Sequence, residues 1–209
     1  MIDPALLDWA KMDGLVPAIV QDPATGEVRM LGYMDRAALE ATIADRLVTF
    51  HSRSRGGPWR KGATSGNLLD LVDIRFDCDR DALLVLATPR GPTCHTGSDS
   101  CFGDDGAPEM GFLATLARTV ADRATADPES SYTARLLAEG TKRLAQKVGE
   151  EGVEVALAAM AGDAEELAAE AADLVFHLTV LLEASDSSWE AVIAELRRRH
   201  APSKVTVSS

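Results

Sequence analysis

The chain has 209 residues, of which 46% are hydrophobic and 26% are charged, and its formal net charge is −12 at neutral pH. This composition is ordinary for a globular protein and excludes a chain that is disordered throughout. The acidity argues against nucleic-acid binding, because a phosphate backbone requires a basic surface.

The first 104 residues contain 13 aspartates but only 2 glutamates, together with most of the glycines, and are therefore rich in turns. Asp3 followed by Pro4 predicts a short helix at the start, and Asp35 predicts the cap of a longer helix over 36–46. We predict strands over 16–21, 28–33, 47–51, 69–76 and 83–88. This mixture predicts an α+β domain over residues 1–106 with a mainly antiparallel sheet.

The remaining 105 residues contain 6 aspartates and 12 glutamates, which favours helix over turn. A turn-rich stretch at 103–108 predicts the junction between two domains. We predict helices over 112–122, from 133, and over 141–161, 164–184 and 188–200. Leucines recur at helical spacing after residue 166, so the second domain, 107–209, is predicted to be an all-α bundle.

Three cysteines, Cys78, Cys94 and Cys101, cannot all pair within one chain, and no two of them form a CxxC pair. The sequence starts without the basic and apolar regions of a signal peptide, and it contains no long apolar run. We therefore expect a cytoplasmic protein with reduced thiols. The thiols are either buried hydrophobic groups or three ligands of a catalytic zinc ion. His95 would then be a candidate proton carrier.

Asp77, Asp79 and Asp81 alternate with other residues around Cys78. In an extended segment the three carboxylates would lie on one face and Cys78 on the other. Such a face favours Mg²⁺ or Ca²⁺, whereas a thiolate favours zinc. The alternative to a metal site is that these aspartates lie in a solvated turn.

Several segments in the first domain resemble the phosphoribosyl-AMP cyclohydrolase family of histidine biosynthesis. GPTCHTG at 91–97 and SCF at 100–102 carry the resemblance, together with the segments 30–34, 50–55, 59–62, 65–67 and 77–81. The family implies a homodimer with active sites at the subunit interface. It also implies hydrolytic opening of the adenine ring at N1–C6 by a zinc-activated water.

The resemblance implies a role for several residues of this sequence. Zn²⁺ would be held by Cys78, Cys94 and Cys101, and Mg²⁺ would be associated with Asp77, Asp79 and Asp81. The cations suited to substrate phosphates are Arg53, Arg55 and Lys61, and the same motifs contain Trp59 and Ser65. Trp59 either stacks on the purine or packs in the core. The family usually has glutamate where this sequence has Ala63.

Glu150, Glu151 and Glu154 share one face of a predicted helix, and Glu170 and Asp173 are paired on the next. If the two helices pack antiparallel, the carboxylates converge, and such a set is best explained by bound Mg²⁺. A solvated acidic face is the alternative. Gly149 and Gly152, which disfavour the helix, suggest close approach of another group.

The helical half resembles the phosphoribosyl-ATP pyrophosphohydrolase family over about 111–199. The family implies Mg²⁺-assisted attack of water at the α–β phosphoanhydride. Glu151, Glu154, Glu170 and Asp173 would hold the metal, and Glu150 would bind it or orient the water. Lys142, Arg143 and Lys147 would contact phosphates, and His177 is expected in the core.

Together the two halves predict a bifunctional hydrolase whose small-molecule substrates are phosphoribosyl-ATP and phosphoribosyl-AMP. The first alternative is a nucleotide pyrophosphohydrolase whose N-terminal domain is impaired, because Ala63 replaces the usual glutamate. The second alternative is a non-enzymatic metal-binding scaffold.

Overall fold

The computed structural model describes residues 2–54, 56–103 and 107–200. The chain divides into two compact units, residues 1–112 and 113–209. The predicted junction near residue 106 lies outside the described residues. The segment that follows it belongs to the first unit, since a Cβ atom on Gly111 would lie 2.1 Å from the Thr25 carbonyl oxygen.

In its described part, the first unit contains six strands and one α-helix, after a short 3₁₀ turn at Pro4–Leu6. These are β1 (Val16–Gln21), β2 (Val28–Met34), α1 (Arg36–Asp45), β3 (Thr49–Ser52), β4 (Gly57–Arg60), β5 (Leu69–Phe76) and β6 (Leu83–Pro89). Four strands form a sheet in the order β2-β1-β6-β5, and β3 pairs with β4 separately. Only the β1–β6 pair is parallel, which confirms the predicted α+β fold with a mainly antiparallel sheet.

Alternating apolar residues build the core of this unit. Val16, Ala18 and Val20 point to the same face of β1 and are fully buried. They join the buried residues of β6 and the Ala38–Leu39 face of α1, whose first turn is capped by the Asp35 carboxylate. The packed sheet leaves the segments that follow β4 and β6 to form the walls of a cavity.

The sequence did not predict one strand, and at 77–81 the structure has the turn that the sequence left open as an alternative. Strand β4 was not predicted because it begins with Gly57 and Pro58, which disfavour strands, and it forms only through pairing with β3. The segment 77–81 is a turn rather than an extended segment. The Asp77 carboxylate accepts hydrogen bonds from the backbone N–H groups of Asp81 and Ala82, and Arg80 adopts a φ of +62°.

The second unit is helical, as predicted. Its helices are α2 (Phe112–Ala124, whose first residue belongs to the first unit), α3 (Tyr132–Glu139), α4 (Thr141–Ala161), α5 (Ala164–Glu183) and α6 (Trp189–His200). Gly162, with a φ of +74°, ends α4, and the Asp163 side chain caps α5. The two long helices therefore form an antiparallel hairpin, and buried Val120, Leu144 and Val180 pack between the helices. No helix in the described ranges is both long and apolar enough to cross a membrane.

Leu144→Ala tests the core of the helical unit. Leu144 is fully buried, so we expect its truncation to lower the free energy of unfolding of this unit by about 2–5 kcal/mol. Chemical denaturation followed by circular dichroism measures the change. Leu196→Ala on the half-exposed face of α6 is the control and should cost far less. Equal losses in the two variants would contradict the assigned core.

Candidate functional site

The first unit contains a cavity of about 500 Å³ between the segments that follow β4 and β6. Its walls include six of the predicted site residues: Trp59, Lys61, Ser65, Cys94, His95 and Cys101. Ala63 also lines it, and no carboxylate is among the described residues of its wall. Motifs separated by more than twenty residues in the sequence thus meet at one site.

Glycines make the tight turns that bring these motifs together. Gly62 has a φ of +80°, and a Cβ atom there would lie 2.2 Å from the Asn67 carbonyl oxygen. A Cβ atom on Gly91 would lie 2.7 Å from the Asn67 side-chain oxygen. The segment after β6 is therefore packed against the segment after β4, and Asn67 lies between them.

Cys94 and Cys101 are close enough for each to shift the pKa of the other. The Thr96 hydroxyl donates to Cys94 Sγ over 3.1 Å and lowers the pKa of that thiol. Burial and the neighbouring Cys94 raise the pKa of Cys101. His95 Nδ1 lies 3.7 Å from Cys94 Sγ. Burial lowers the pKa of Lys61 although both thiols oppose that shift. Two thiols, an imidazole and an amine thus share one environment.

Cys78 lies at the other end of the sheet. It follows the Phe76 end of β5, which pairs with Leu83 at the start of β6, whereas Cys94 follows the far end of β6. The seven residues of β6 separate the two ends by about 20 Å. In the described part of one chain, the three cysteines form no group of ligand atoms within 4.8 Å of one another.

The carboxylates of Asp77, Asp79 and Asp81 converge in the turn after β5, within 4.8 Å of one another. Lys11 Nζ lies 2.5 Å from the carboxylates of both Asp79 and Asp81. These ion pairs raise the pKa of Lys11 above its usual range. The Lys11 amino group thus occupies a position that suits a metal cation, and no sequence motif indicated this contact.

Arg53 lines a neighbouring groove of about 380 Å³, which shares Met30 and Trp59 with the cavity. The Arg53 guanidinium lies over the Tyr33 ring at 5.1 Å, and the Trp59 ring lies 6.4 Å from that of Phe50. Arg55 is outside the described residues. His51 Nδ1 lies 2.8 Å from the Asp35 carboxylate, a pair that sequence analysis missed because it joins two separate motifs.

In the second unit, Glu151 and Glu154 of α4 converge with Glu170 of α5, with carboxylate oxygens within 4.8 Å of one another. Glu151 is buried, whereas Glu154 is exposed. The antiparallel hairpin therefore brings three of the predicted metal ligands together. Asp173 is exposed and lies outside this group, and its backbone carbonyl accepts a hydrogen bond from His177 Nδ1 over 2.9 Å.

Basic side chains flank one side of this cluster. Lys147 Nζ lies 2.7 Å from Glu151 and 3.2 Å from Glu150, and it lowers the pKa of both carboxyls. Arg143 contacts Glu150 at 3.4 Å, and Glu150 does not belong to the three-carboxylate group. Lys142 is exposed. The hydrogen bond with Glu151 and the nearby charge of Glu170 raise the pKa of Glu154.

His177 is buried, as expected, yet it also borders the cluster. Its Nδ1 lies 3.5 Å from Glu151, and its Nε2 lies 3.5 Å from the Tyr132 hydroxyl. The expectation of close approach at Gly149 and Gly152 was wrong within one chain. A Cβ atom on either residue would meet no atom within 4 Å.

Comparisons with known proteins agree with this division of sites. A family model described as phosphoribosyl-AMP cyclohydrolase matches residues 30–103, and one described as phosphoribosyl-ATP pyrophosphohydrolase matches residues 113–200. Proteins named "Histidine biosynthesis bifunctional protein HisIE" match almost the whole chain. The Pasteurella multocida protein is 56% identical over 93% of this chain and 98% of its own length. Those of Shigella sonnei and Salmonella typhimurium are each 58% identical over 93% of this chain and 95% of their own length.

The chain belongs to this bifunctional family of histidine biosynthesis. It is a multifunctional hydrolase that joins a cyclohydrolase to a pyrophosphohydrolase. The cavity with the thiols lies in the cyclohydrolase half, and the carboxylate cluster lies in the pyrophosphohydrolase half. The family membership confirms the identification that the sequence motifs predicted.

Glu154→Gln tests the electrostatics of the carboxylate cluster without metal. Because the pKa of Glu154 is raised in the folded chain, its ionised form is destabilising at neutral pH. In EDTA at pH 7 the variant should therefore be more stable to urea than the unmodified protein. The difference should shrink as the pH falls and Glu154 gains a proton. Glu183→Gln, outside the cluster, is the control, and a less stable Glu154→Gln protein at pH 7 would contradict the account.

Proposed function

We propose that the helical unit hydrolyses phosphoribosyl-ATP to phosphoribosyl-AMP and pyrophosphate, and that the first unit then opens the adenine ring at N1–C6. The observation that carries this proposal is that Cys94, Cys101, His95 and Lys61 line one cavity. A separate carboxylate cluster in the second unit supports the phosphate chemistry. Phosphoribosyl-AMP, the product of the second unit that keeps the purine, would be the substrate of the first unit.

The donor set of the first unit fits zinc. Two adjacent thiols are soft ligands, and a catalytic zinc ion takes three protein ligands and leaves a position for water. Cys78 of the same chain is about a strand length away, so the third thiol would be the partner subunit's Cys78. This arrangement makes the active protein a homodimer. When bound, zinc would supply a water that ionises near neutral pH.

His95 carries the proton transfer in this proposal. It lines the cavity beside Cys94, and the position at which the family usually has glutamate is Ala63. No carboxylate among the described wall residues could replace that glutamate, so the His95 imidazole is the group suited to proton transfer. Trp59 would stack on the purine, and Lys61, Ser65 and Arg53 would hold phosphate and ribose oxygens.

Two further sites suit Mg²⁺, because carboxylate oxygens are the ligands that hard cations prefer. In the first unit these ligands are Asp77, Asp79 and Asp81, and Lys11 would leave its ion pairs as the metal enters.

In the second unit the three converging glutamates, Glu151, Glu154 and Glu170, would hold Mg²⁺, and Asp173 would join them when the substrate binds. The metal would neutralise negative charge on the phosphoanhydride. Glu150 would orient water, and Lys142, Arg143 and Lys147 would contact phosphates.

An exposed apolar face on α4 supports the homodimer. Val153, Leu157 and Met160 recur at helical spacing and are each more than half exposed, and the uncovered Gly149 continues the same face. A second copy would cover this face. We further propose a cytoplasmic location, where the three free thiols would stay reduced.

Ala63 favours a second candidate function. If the missing glutamate is essential, the protein is a pyrophosphohydrolase whose ring-opening half is impaired. The two candidates differ in one result, because only the first forms ring-opened product from phosphoribosyl-AMP.

Variants in the two sites should separate the two activities. Glu154→Gln removes a metal ligand, so we expect pyrophosphate release from phosphoribosyl-ATP to be abolished while ring opening of phosphoribosyl-AMP is unchanged. His95→Asn should slow ring opening roughly 100- to 10,000-fold and leave pyrophosphate release intact. Separate assays of the two steps measure both effects. Loss of both activities in either folded variant would contradict the partition.

Lys11→Met tests the cation site of the turn after β5. The Lys11 amino group competes with a divalent cation for Asp79 and Asp81, so the variant should bind Mn²⁺, a probe for Mg²⁺, more tightly. Electron paramagnetic resonance of the free ion measures the affinity, in a Glu154→Gln background that weakens the second site. Arg75→Met is the control. Unchanged or weaker binding in Lys11→Met would contradict the assignment.

A further inference from the structure

Arg29 is a buried cation in β2. Only 3% of the residue is exposed, and its guanidinium makes three contacts. It pairs with the buried Glu27 carboxylate at 2.5 Å, donates from Nε to the Thr93 hydroxyl over 3.2 Å and lies 3.3 Å from the Asp99 carboxylate. Burying a charged pair costs free energy that apolar side chains would not cost, so its presence needs a reason other than stability.

The contacts of Arg29 all lead to one loop. Thr93 directly precedes Cys94, and the backbone N–H of Cys101 donates to the Arg29 carbonyl oxygen over 2.8 Å. Beside it, the Ser100 hydroxyl donates to the Val28 carbonyl oxygen over 2.7 Å. The Arg29 side chain therefore holds the Thr93 end of the loop 93–101, and the carbonyl oxygens of Val28 and Arg29 hold its other end.

Within the loop, the chain folds back on itself. The Cys94 N–H donates to the Ser98 carbonyl oxygen over 3.0 Å, and the Gly97 N–H donates to that of Cys94 over 3.2 Å. These hydrogen bonds join Cys94 to Gly97 and Ser98 but do not reach Cys101. The turn alone therefore does not fix the distance between Cys94 and Cys101. The β2 contacts hold those ends, and among them only the guanidinium of Arg29 holds the Cys94 end through a charged group.

We propose that Arg29 is a positioning residue for the thiols that bind zinc. Its guanidinium, itself held by Glu27, fixes Thr93 and Asp99 so that the sulfurs of Cys94 and Cys101 are preorganised for one metal ion. This proposal rests on the proposed zinc site. Groups that orient metal ligands without touching the metal affect affinity strongly, typically about 10- to 100-fold.

The test measures zinc affinity of the full-length protein by competition with a chromophoric chelator, with Zn²⁺ alone as the probe. Arg29→Met removes the guanidinium but leaves the buried Glu27 carboxylate without its partner, which by itself destabilises the fold. The double variant Glu27→Gln/Arg29→Met leaves no unpaired buried charge. Arg29→Lys keeps the positive charge but lacks the several N–H donors of the guanidinium. Arg75→Met, an exposed arginine paired with Asp73, is the matched control.

We expect the double variant to bind zinc about 10- to 100-fold more weakly than the unmodified protein, with Arg29→Lys intermediate and Arg75→Met unchanged. At saturating zinc, kcat of ring opening should fall more than KM rises, because substrate contacts are retained. Pyrophosphate release reports that each variant is folded in its second half, and near-ultraviolet circular dichroism reports on the first.

Zinc affinity equal to that of the unmodified protein in the folded double variant and in Arg29→Lys would overturn the proposal while leaving the zinc site in place. Failure of the unmodified protein itself to bind zinc would overturn the zinc site and this proposal together. The two failures are therefore distinguished by the unmodified protein alone.

Discussion

The length of β6 decides how the cyclohydrolase site can be assembled. The strand is extended from Leu83 to Pro89, and its antiparallel pairing with β5 fixes Cys78 at one end and Cys94 at the other. An extended strand of this length is about 20 Å long, while zinc–sulfur bonds are about 2.3 Å. One copy of the chain can therefore present two thiols to a metal ion, and the third must come from elsewhere. The proposed homodimer follows from this constraint together with the exposed position of Cys78.

In each half, a lysine side chain partly neutralises a cluster of carboxylates. In the turn after β5, Lys11 balances the aspartates of one site. On α4, Lys147 balances Glu150 and Glu151, while Glu154 keeps a raised pKa beside Glu151 and Glu170. Both arrangements leave carboxylates close together at a cost that a bound divalent cation would remove. Part of the chain's net charge of −12 is thus concentrated where metal ions would bind.

Regular elements could be predicted from the sequence because their signals are local. Alternating apolar residues predict β1, and the cap at Asp163 and the break at Gly162 predict the bounds of α4 and α5. The motifs identified candidate site residues, and four of them, Trp59, Lys61, Cys94 and Cys101, line one cavity. Site residues that depend on tertiary contacts could not be predicted. Lys11 is far in sequence from its aspartates, and Arg29 interacts with a loop some sixty residues away. The turn at 77–81 forms because backbone N–H groups bind Asp77, a signal that alternation of residue types does not contain.

The most direct test of the shared zinc site is subunit complementation. Cys78→Ser and Cys94→Ser proteins would each lack ring-opening activity alone. Unfolded together and refolded, they should recover about a quarter of the unmodified activity, since half of the dimers are mixed and each mixed dimer holds one intact site. Mixing Cys94→Ser with Cys101→Ser is the control and should recover none, because those two thiols belong to one chain. Absence of recovery in the first mixture, with mixed dimers present, would contradict the account.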